Sequence, residues 1–372
     1  MDTLPVIYST PLAEAVADFV SAHCDLPGSI ECELLYRGWN DIFEVWAKNG
    51  ERFIFRLSKR RACGDADVAS ETAFLAYLDR TDIPVAAAIP MRDGSLFTSA
   101  FFPEGRRPAV LFRYAEGRPS QARSSAADAR ANGVTLARIH DVAGGFAGDK
   151  GRYPLDLNHL LHRPLSAILT LEDLSDSVRT GLVDLTRRLS SALAERDGLS
   201  WTRCHGDCHG YNAQIALEGP RAGQAVFFDF DEGGPGYLAY DLEVFLWNCV
   251  LFGRKDHAFW HAFIEGYRTI RELSHADFEA VHLFVPIRHM GLMGSTPVVS
   301  TNGGVKPCPP IGSPDSWILF CRGNRRSCCR ACSDQPTPLC ADSRTFFQYQ
   351  LSPLWSKTPY VGSWPTATVA GV

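Results

Sequence analysis

Residues 204–212, Cys204-His205-Gly206-Asp207-Cys208-His209-Gly210-Tyr211-Asn212, followed by Val226-Phe227-Phe228-Asp229-Phe230-Asp231, decide how this chain is read. A carboxylate, an amide five residues on and a second carboxylate at the end of an apolar strand form a set suited to phosphoryl transfer. Asp207 can orient an acceptor hydroxyl and accept its proton. The Asn212 amide oxygen and the Asp229 carboxylate are hard oxygen donors for Mg2+ on nucleotide phosphates. Mg2+ keeps several waters, so two protein ligands suffice. The bland reading, two strand-end turn aspartates, leaves Asn212 unaccounted for. Cys204 and Cys208 flank this set with a C-x3-C spacing, but one such pair makes a weak metal signal, and buried core thiols are expected instead.

Working back from this stretch, the chain changes period. Residues 11–24 place Leu12, Ala15, Val16, Phe19 and Val20 at helical spacing. ECELLYRG and DIFEVWAKNGERFIFRL read as strands around the hairpin signal Asn49-Gly50. A helix is predicted near Asp67–Asp79. MRDGSLF and AVLFRYAEG read as two more strands turning at Asp93-Gly94. Residues 1–115 therefore read as a small α+β lobe around an antiparallel sheet. Beyond Gly117-Arg118-Pro119 the pattern turns helical, with helices predicted at Ala126–His140, Arg163–Leu171, Ser177–Arg196 and His257–Ile270. A short β-rich stretch, Cys204–Phe230, interrupts them. Residues 116–295 form a second lobe, with Glu116–Ser120 as the hinge.

HGDxHxxN followed by a DFD strand end, then Gly236 and Asp241-Leu242, resembles the aminoglycoside phosphotransferase-like superfamily. LARIHD before the loop, RPAVLFRYAEGRP at the hinge and PVAAAIPMRDGSL extend the resemblance over roughly residues 30–295. The nearest subgroup is similar to the homoserine-kinase and stress-response-kinase-like members. The resemblance implies a two-lobed protein-kinase-like α+β fold and ATP-dependent transfer to a hydroxyl on a small molecule or a Ser/Thr side chain. It implies Asp207 as catalytic base, Asn212 and Asp229 as Mg2+ ligands, and His205 as a structural histidine. His209 matches a recurrent histidine without a derivable role. Arg56 stands where many relatives have lysine, with Glu71 as its ion-pair partner. Gly38 and Asn40 lie in the loop that folds over nucleotide phosphates, and the hinge backbone near Phe112 and Tyr114 faces adenine. Arginine is bidentate and permanently charged, so it can hold phosphates with a geometry different from lysine. Asp241 is expected to cap the helix DLEVFLW. Asp231 reads either as support for the metal pair or as a solvated strand-end charge. Glu232, Glu243 and Asp256 could meet a cationic acceptor, but solvated surface charge is the expectation.

The resemblance stops after RHMGLMG. Residues 301–372 hold nine of the 23 prolines and six of the 12 cysteines, and no glutamate follows Glu279, so residues 296–372 do not follow the plan of the rest. A reading-frame change, a disordered or disulfide-bearing tail and a zinc-binding appendage are three readings of this segment. Net charge −5 and a pI near 6.1 argue against general nucleic-acid or anionic-membrane binding. With neither a secretory signal nor an 18-residue apolar run, a cytoplasmic protein is expected. Two competing functions are a non-catalytic or inactivated nucleotide-binding relative and a hydrolase using both carboxylates on water.

Overall fold

Burial alternates along Asp41–Ala47: Asp41, Phe43, Val45 and Ala47 are buried, with Ile42, Glu44 and Trp46 partly exposed between them. That alternation, closed by a turn through Asn49-Gly50, makes the first hairpin of an antiparallel sheet. The structure is a computed structural model that describes residues 6, 9–38, 40–58, 64–122, 124–171, 174–251 and 257–295. Residues 296–372, Trp39, the run Lys59-Arg60-Arg61 and Asp256 lie outside the described residues, so the readings of the tail and of Asp256 are left there. All described residues belong to one compact unit, Met1–Thr296.

The elements run α1 (Ala13–His23), β1 (Ile30–Arg37), β2 (Asp41–Ala47), β3 (Arg52–Leu57), α2 (Asp65–Arg80), β4 (Thr98–Phe102), β5 (Gly105–Arg113), β6 (Arg118–Pro119) and α3 (Ala126–Ala143). There follow α4 (Arg163–Leu169), α5 (Asp176–Ala194), β7 (Trp201–Cys204), β8 (Ala213–Ile215), β9 (Ala225–Phe227), β10 (Gly234–Tyr237), α6 (Leu238–Leu251), α7 (Ala258–Arg268) and α8 (His275–Ser295). The five-stranded sheet has the order β1-β2-β3-β5-β4, with each neighbouring pair antiparallel. The second hairpin differs from the sequence expectation. The Asp93-Gly94 turn is real, with Gly94 N–H donating to the Met91 carbonyl at 2.9 Å, but it closes only an irregular segment. The strand partner of β5 begins seven residues later than expected and turns at Pro103-Glu104.

Val16 and Val20 of α1 pack under the sheet against Phe43, Phe55 and Leu111. The larger core joins α2 to the helices that follow, through Phe74, Leu136, Phe230, Phe245, Phe263 and Phe284. Two further small sheets matter for function. β7 pairs with β10, and β6, β8 and β9 form a three-stranded sheet. The helix α8 was not among those predicted, and it packs against α6 and α4.

Candidate active site

The stretch 204–212 leaves β7 at Cys204 and turns at Gly206, where φ is +84°. A Cβ there would lie 2.2 Å from the Glu232 carbonyl oxygen, so both the backbone conformation and the close approach require glycine. The turn is pinned by Asp241. Its carboxylate accepts the His205 N–H at 2.6 Å, the Gly206 N–H at 2.7 Å and His140 Nε2 at 3.0 Å. Because the Tyr267 hydroxyl sits 2.9 Å from His140 Nδ1, the His140 proton on Nε2 and the Tyr267 proton on its oxygen make one consistent chain. Burial opposes the Asp241 charge, but the His140 bond and the two nearby imidazoles hold its carboxyl below the usual range. The expected helix cap is thereby corrected. The helix begins at Leu238, so Asp241 lies inside its first turn, and its oxygens are spent on the loop rather than on its own helix.

Asp207 projects from this turn with a 24% exposed side chain. Its Oδ2 accepts from Asn212 Nδ2 at 3.2 Å and lies 3.3 Å from His209 Nε2. The other nitrogen of His209 accepts the Tyr211 N–H, which leaves the proton on Nε2, facing Asp207. Arg288 of α8 forms an ion pair with Oδ1. Burial would raise the Asp207 pKa, but His209 and Arg288 together hold the carboxyl far below the ordinary aspartate value. His205 is buried, with Nδ1 accepting the Asp207 N–H at 3.2 Å and Nε2 3.1 Å from the Phe228 carbonyl oxygen. It braces the loop against the β9 strand end, in keeping with a structural role.

Asn212 and Asp229 meet because β8 and β9 pair antiparallel with Ala213 opposite Phe227. Asn212 immediately precedes β8 and Asp229 follows β9, so both fall at one end of that sheet, where the Phe228 N–H donates to the Asn212 carbonyl at 3.1 Å. The Asn212 Nδ2 is committed to Asp207, which leaves its amide oxygen as the donor to a cation. Asp229 adopts a left-handed backbone, φ +64°, uncommon for a residue with a side chain and a form of strain found at functional sites. Enclosure by the surrounding protein and the adjacent Asp231 carboxylate push the Asp229 carboxyl up, while the Arg56 charge and the 43% exposure of its side chain work against that shift. An oxygen-only donor pair, the Asn212 amide and the Asp229 carboxylate, is of the kind that suits Mg2+. Among the described residues no group of three or more His, Cys, Asp or Glu side chains is placed to hold a metal. Cys204 and Cys208 are free buried thiols, whose pKa values burial pushes well up.

From the sheet side, Arg56 on β3 makes a bidentate pair with Glu71 of α2, 2.8 Å to Oε1 and 2.5 Å to Oε2. Its guanidinium reaches within 3.6 Å of Asp229 and lies 4.9 Å from the Phe112 ring centroid. Asn40 Nδ2 donates to Asp231 Oδ2 at 2.8 Å, which ties the β1–β2 loop to the strand end carrying Asp229. Asp231 is buried, so the solvated reading is set aside. Gly38 holds the same loop with its N–H on the Asn40 carbonyl, and its α-carbon lies against the Tyr36 ring. Phe112 sits inside β5, opposite Ile54 and bridged to Ala88, and Tyr114 follows the strand end with Arg52 over its ring at 3.7 Å.

Two residues at the site escaped the sequence reading. Arg288 lies in an apolar helix and gives no motif. Glu243, read as solvated, is fully buried in α6, and neither carboxylate oxygen has a hydrogen-bond partner among the described residues. Burial pushes its carboxyl well above the ordinary value, with Arg288 opposing. The available signal was the apolar run around Glu243: Leu242, Val244 and Phe245 flank it directly, and all are buried. A charge flanked by such residues is rarely on a surface.

The model of the phosphotransferase enzyme family matches residues 32–276. The chain is 36% identical over 300 residues to an uncharacterized protein of Deinococcus radiodurans, covering 78% of this chain and 84% of that one. It is 30% identical over 284 residues to an uncharacterized protein of Synechocystis sp., covering 73% and 74%. Among solved structures, an amicoumacin kinase in complex with AMP-PNP and Ca2+ superposes with TM-score 0.64 at 18% identity, over 84% of this chain and 92% of that one. A microcompartment-associated aminopropanol kinase gives 0.59 at 21% identity, over 76% and 89%. These last two likenesses show a common kinase-like fold.

Proposed function

Because this chain belongs to the phosphotransferase enzyme family, we propose that it is an ATP-dependent kinase of a small-molecule hydroxyl, with Asp207 as the residue that receives the acceptor. The observation that carries the reading is that three separate elements bring Asp207 to Asn212, Arg56 to Asp229, and Asn212 and Asp229 to one end of the β8–β9 pair. Asn212 and Asp229 would hold Mg2+, which supplies neutralisation of the charge on the nucleotide phosphates. The amicoumacin kinase was solved with a nucleotide analogue and a divalent cation, and the oxygen donors here suit that pair.

Each protein group has a definable task. Arg56, locked by Glu71, presents a fixed guanidinium to the phosphates, and a pre-formed fork loses little entropy on binding them. Asp207 accepts the acceptor hydroxyl and takes its proton as the bond to phosphorus forms. The loose transition state of phosphoryl transfer asks the protein mainly for positioning and charge stabilisation. The strongly acidic Asp207 is compatible with that demand, since a powerful base is not required. Asp241 and His140 stand behind the loop and keep Asp207 where it is.

The test is a screen of amino alcohols, aminoglycosides, sugars and peptides for ADP release, with Asp207→Asn as the blank. Turnover that falls about 10²–10⁴-fold in the variant is expected for loss of a proton-accepting, orienting group. Turnover unaffected by Asp207→Asn, in a variant with the wild-type melting profile, would refute the assignment.

A further inference from the structure

Asp207 is held at both oxygens, and the bookkeeping of its lone pairs indicates where the acceptor must arrive. An ionised carboxylate has about four acceptor positions, two on each oxygen. Oδ2 is filled by Asn212 Nδ2 and by the protonated Nε2 of His209. Oδ1 takes Arg288 alone among the described residues. One position is left, and it is on Oδ1.

Arg288 is itself fixed. Its Nη1 donates to the Gly206 carbonyl at 3.0 Å and to the Tyr240 hydroxyl at 3.1 Å, while Nη2 holds Asp207. Its side chain is 6% exposed. A single planar group thus reads the backbone of the loop turn and the carboxylate one residue on, so it sets the distance and the plane between them. Lysine has one nitrogen and no plane, and cannot make these contacts together. The guanidinium is anchored from α6 through Tyr240 and from α8 through its own backbone, so two helices outside the loop define the carboxylate orientation.

We infer that Arg288 is a positioning residue of the reaction, and that the acceptor hydroxyl meets Asp207 at Oδ1, on the side walled by Arg288 and Tyr240. The inference rests on the kinase reading above and deepens it. The acceptor therefore enters between the catalytic loop and the facing sides of α6 and α8. Asn212 and His209 close the opposite side of the carboxylate.

Steady-state kinetics of Arg288→Ala, Arg288→Lys and Tyr240→Phe test it once an acceptor is in hand. Arg288→Ala is expected to lower kcat by about 100-fold, the scale of a small misplacement of a reacting group, while the KM for ATP stays within about twofold. Millimolar guanidinium should restore part of that loss by refilling the gap, a response that a merely structural role would not show. Arg288→Lys should recover only a fraction, and Tyr240→Phe should raise the acceptor KM with the ATP KM unmoved. If Arg288→Ala does not fold, Arg288→Lys and Tyr240→Phe carry the test. Wild-type kcat in Arg288→Lys, or Tyr240→Phe acting on ATP rather than on the acceptor, overturns the inference and leaves the function intact. A wild-type protein with no Asp207-dependent turnover overturns both.

Discussion

Two arginine–carboxylate pairs adjoin the metal-ligand candidates, Arg56–Glu71 beside Asp229 and Arg288–Asp207 beside Asn212, and they are built in opposite senses. In the sheet-bearing part, Glu71 holds Arg56, which is itself buried and directed at Asp229. In the helical part, the buried Arg288 holds Asp207, which keeps a quarter of its side chain exposed. Under the proposed function, the same chemical pair would present a cation to the nucleotide and an anion to the acceptor. In both, the holding partner fixes the direction of the other side chain. Such a pair stabilises the fold weakly compared with apolar packing, but losing one member leaves an uncompensated buried charge.

The comparison breaks hardest at Glu71. Glu71→Ala leaves the Arg56 guanidinium buried without its bidentate partner, and a loss of about 3–5 kcal/mol is expected by urea denaturation. The nucleotide KM should rise with it. A smaller loss would mean that Asp229 takes over as the partner of Arg56.

A second measurement concerns Glu243, the carboxyl that neither pair uses. Replacing a buried polar group without partners by an apolar side chain of similar size is expected to stabilise, so Glu243→Met should gain about 1–2 kcal/mol. The pH dependence has a definite sign. The folded carboxyl is raised above its ordinary value of 4.5, so its neutral form is the one the fold favours. Wild-type stability from this group is full below that ordinary value and is lost as pH rises towards the folded pKa. The advantage of Glu243→Met should therefore widen with pH above 4.5. A constant gap in melting temperature across that range would show that Glu243 is not buried as a neutral acid.

The smallest expected effect sharpens the sheet-side pair. Arg56→Lys keeps the charge but loses the fork, so the ATP KM should rise by about tenfold, the equivalent of about 1.4 kcal/mol, with little change in kcat. An unchanged KM would show that the second arginine nitrogen does no work on the nucleotide.

Much of the site was legible because its parts are close in sequence or carry rigid local geometry. Asp207 and Asn212 lie on one loop. Asp229 ends an apolar strand, and Arg56 sits on a strand followed by the helix that carries Glu71. What escaped lies far along the chain: Arg288 is 81 residues from Asp207. Nothing in an apolar helical run says which way its one arginine will point. Asp241 was singled out for a local role, the helix cap, because a short-range rule offered one. The fold assigned it instead to a turn 35 residues earlier in the chain. Glu243 was misread because net charge suggests surface, whereas its burial follows from how α6 is wedged against its neighbours.

The sequence by itself determined the family and the α+β character, and it singled out Asp207, Asn212, Asp229 and Arg56 as the candidate set, since residue type and short spacing suffice for these. Only the tertiary structure decided how that set is held. The antiparallel register of β8 and β9 brings Asn212 and Asp229 to one edge, Asp241 and His140 clamp the loop from behind, and Arg288 arrives from α8 to orient the carboxylate. Those facts depend on packing between distant segments, where the burial of apolar faces, rather than any local preference, chooses which polar groups meet.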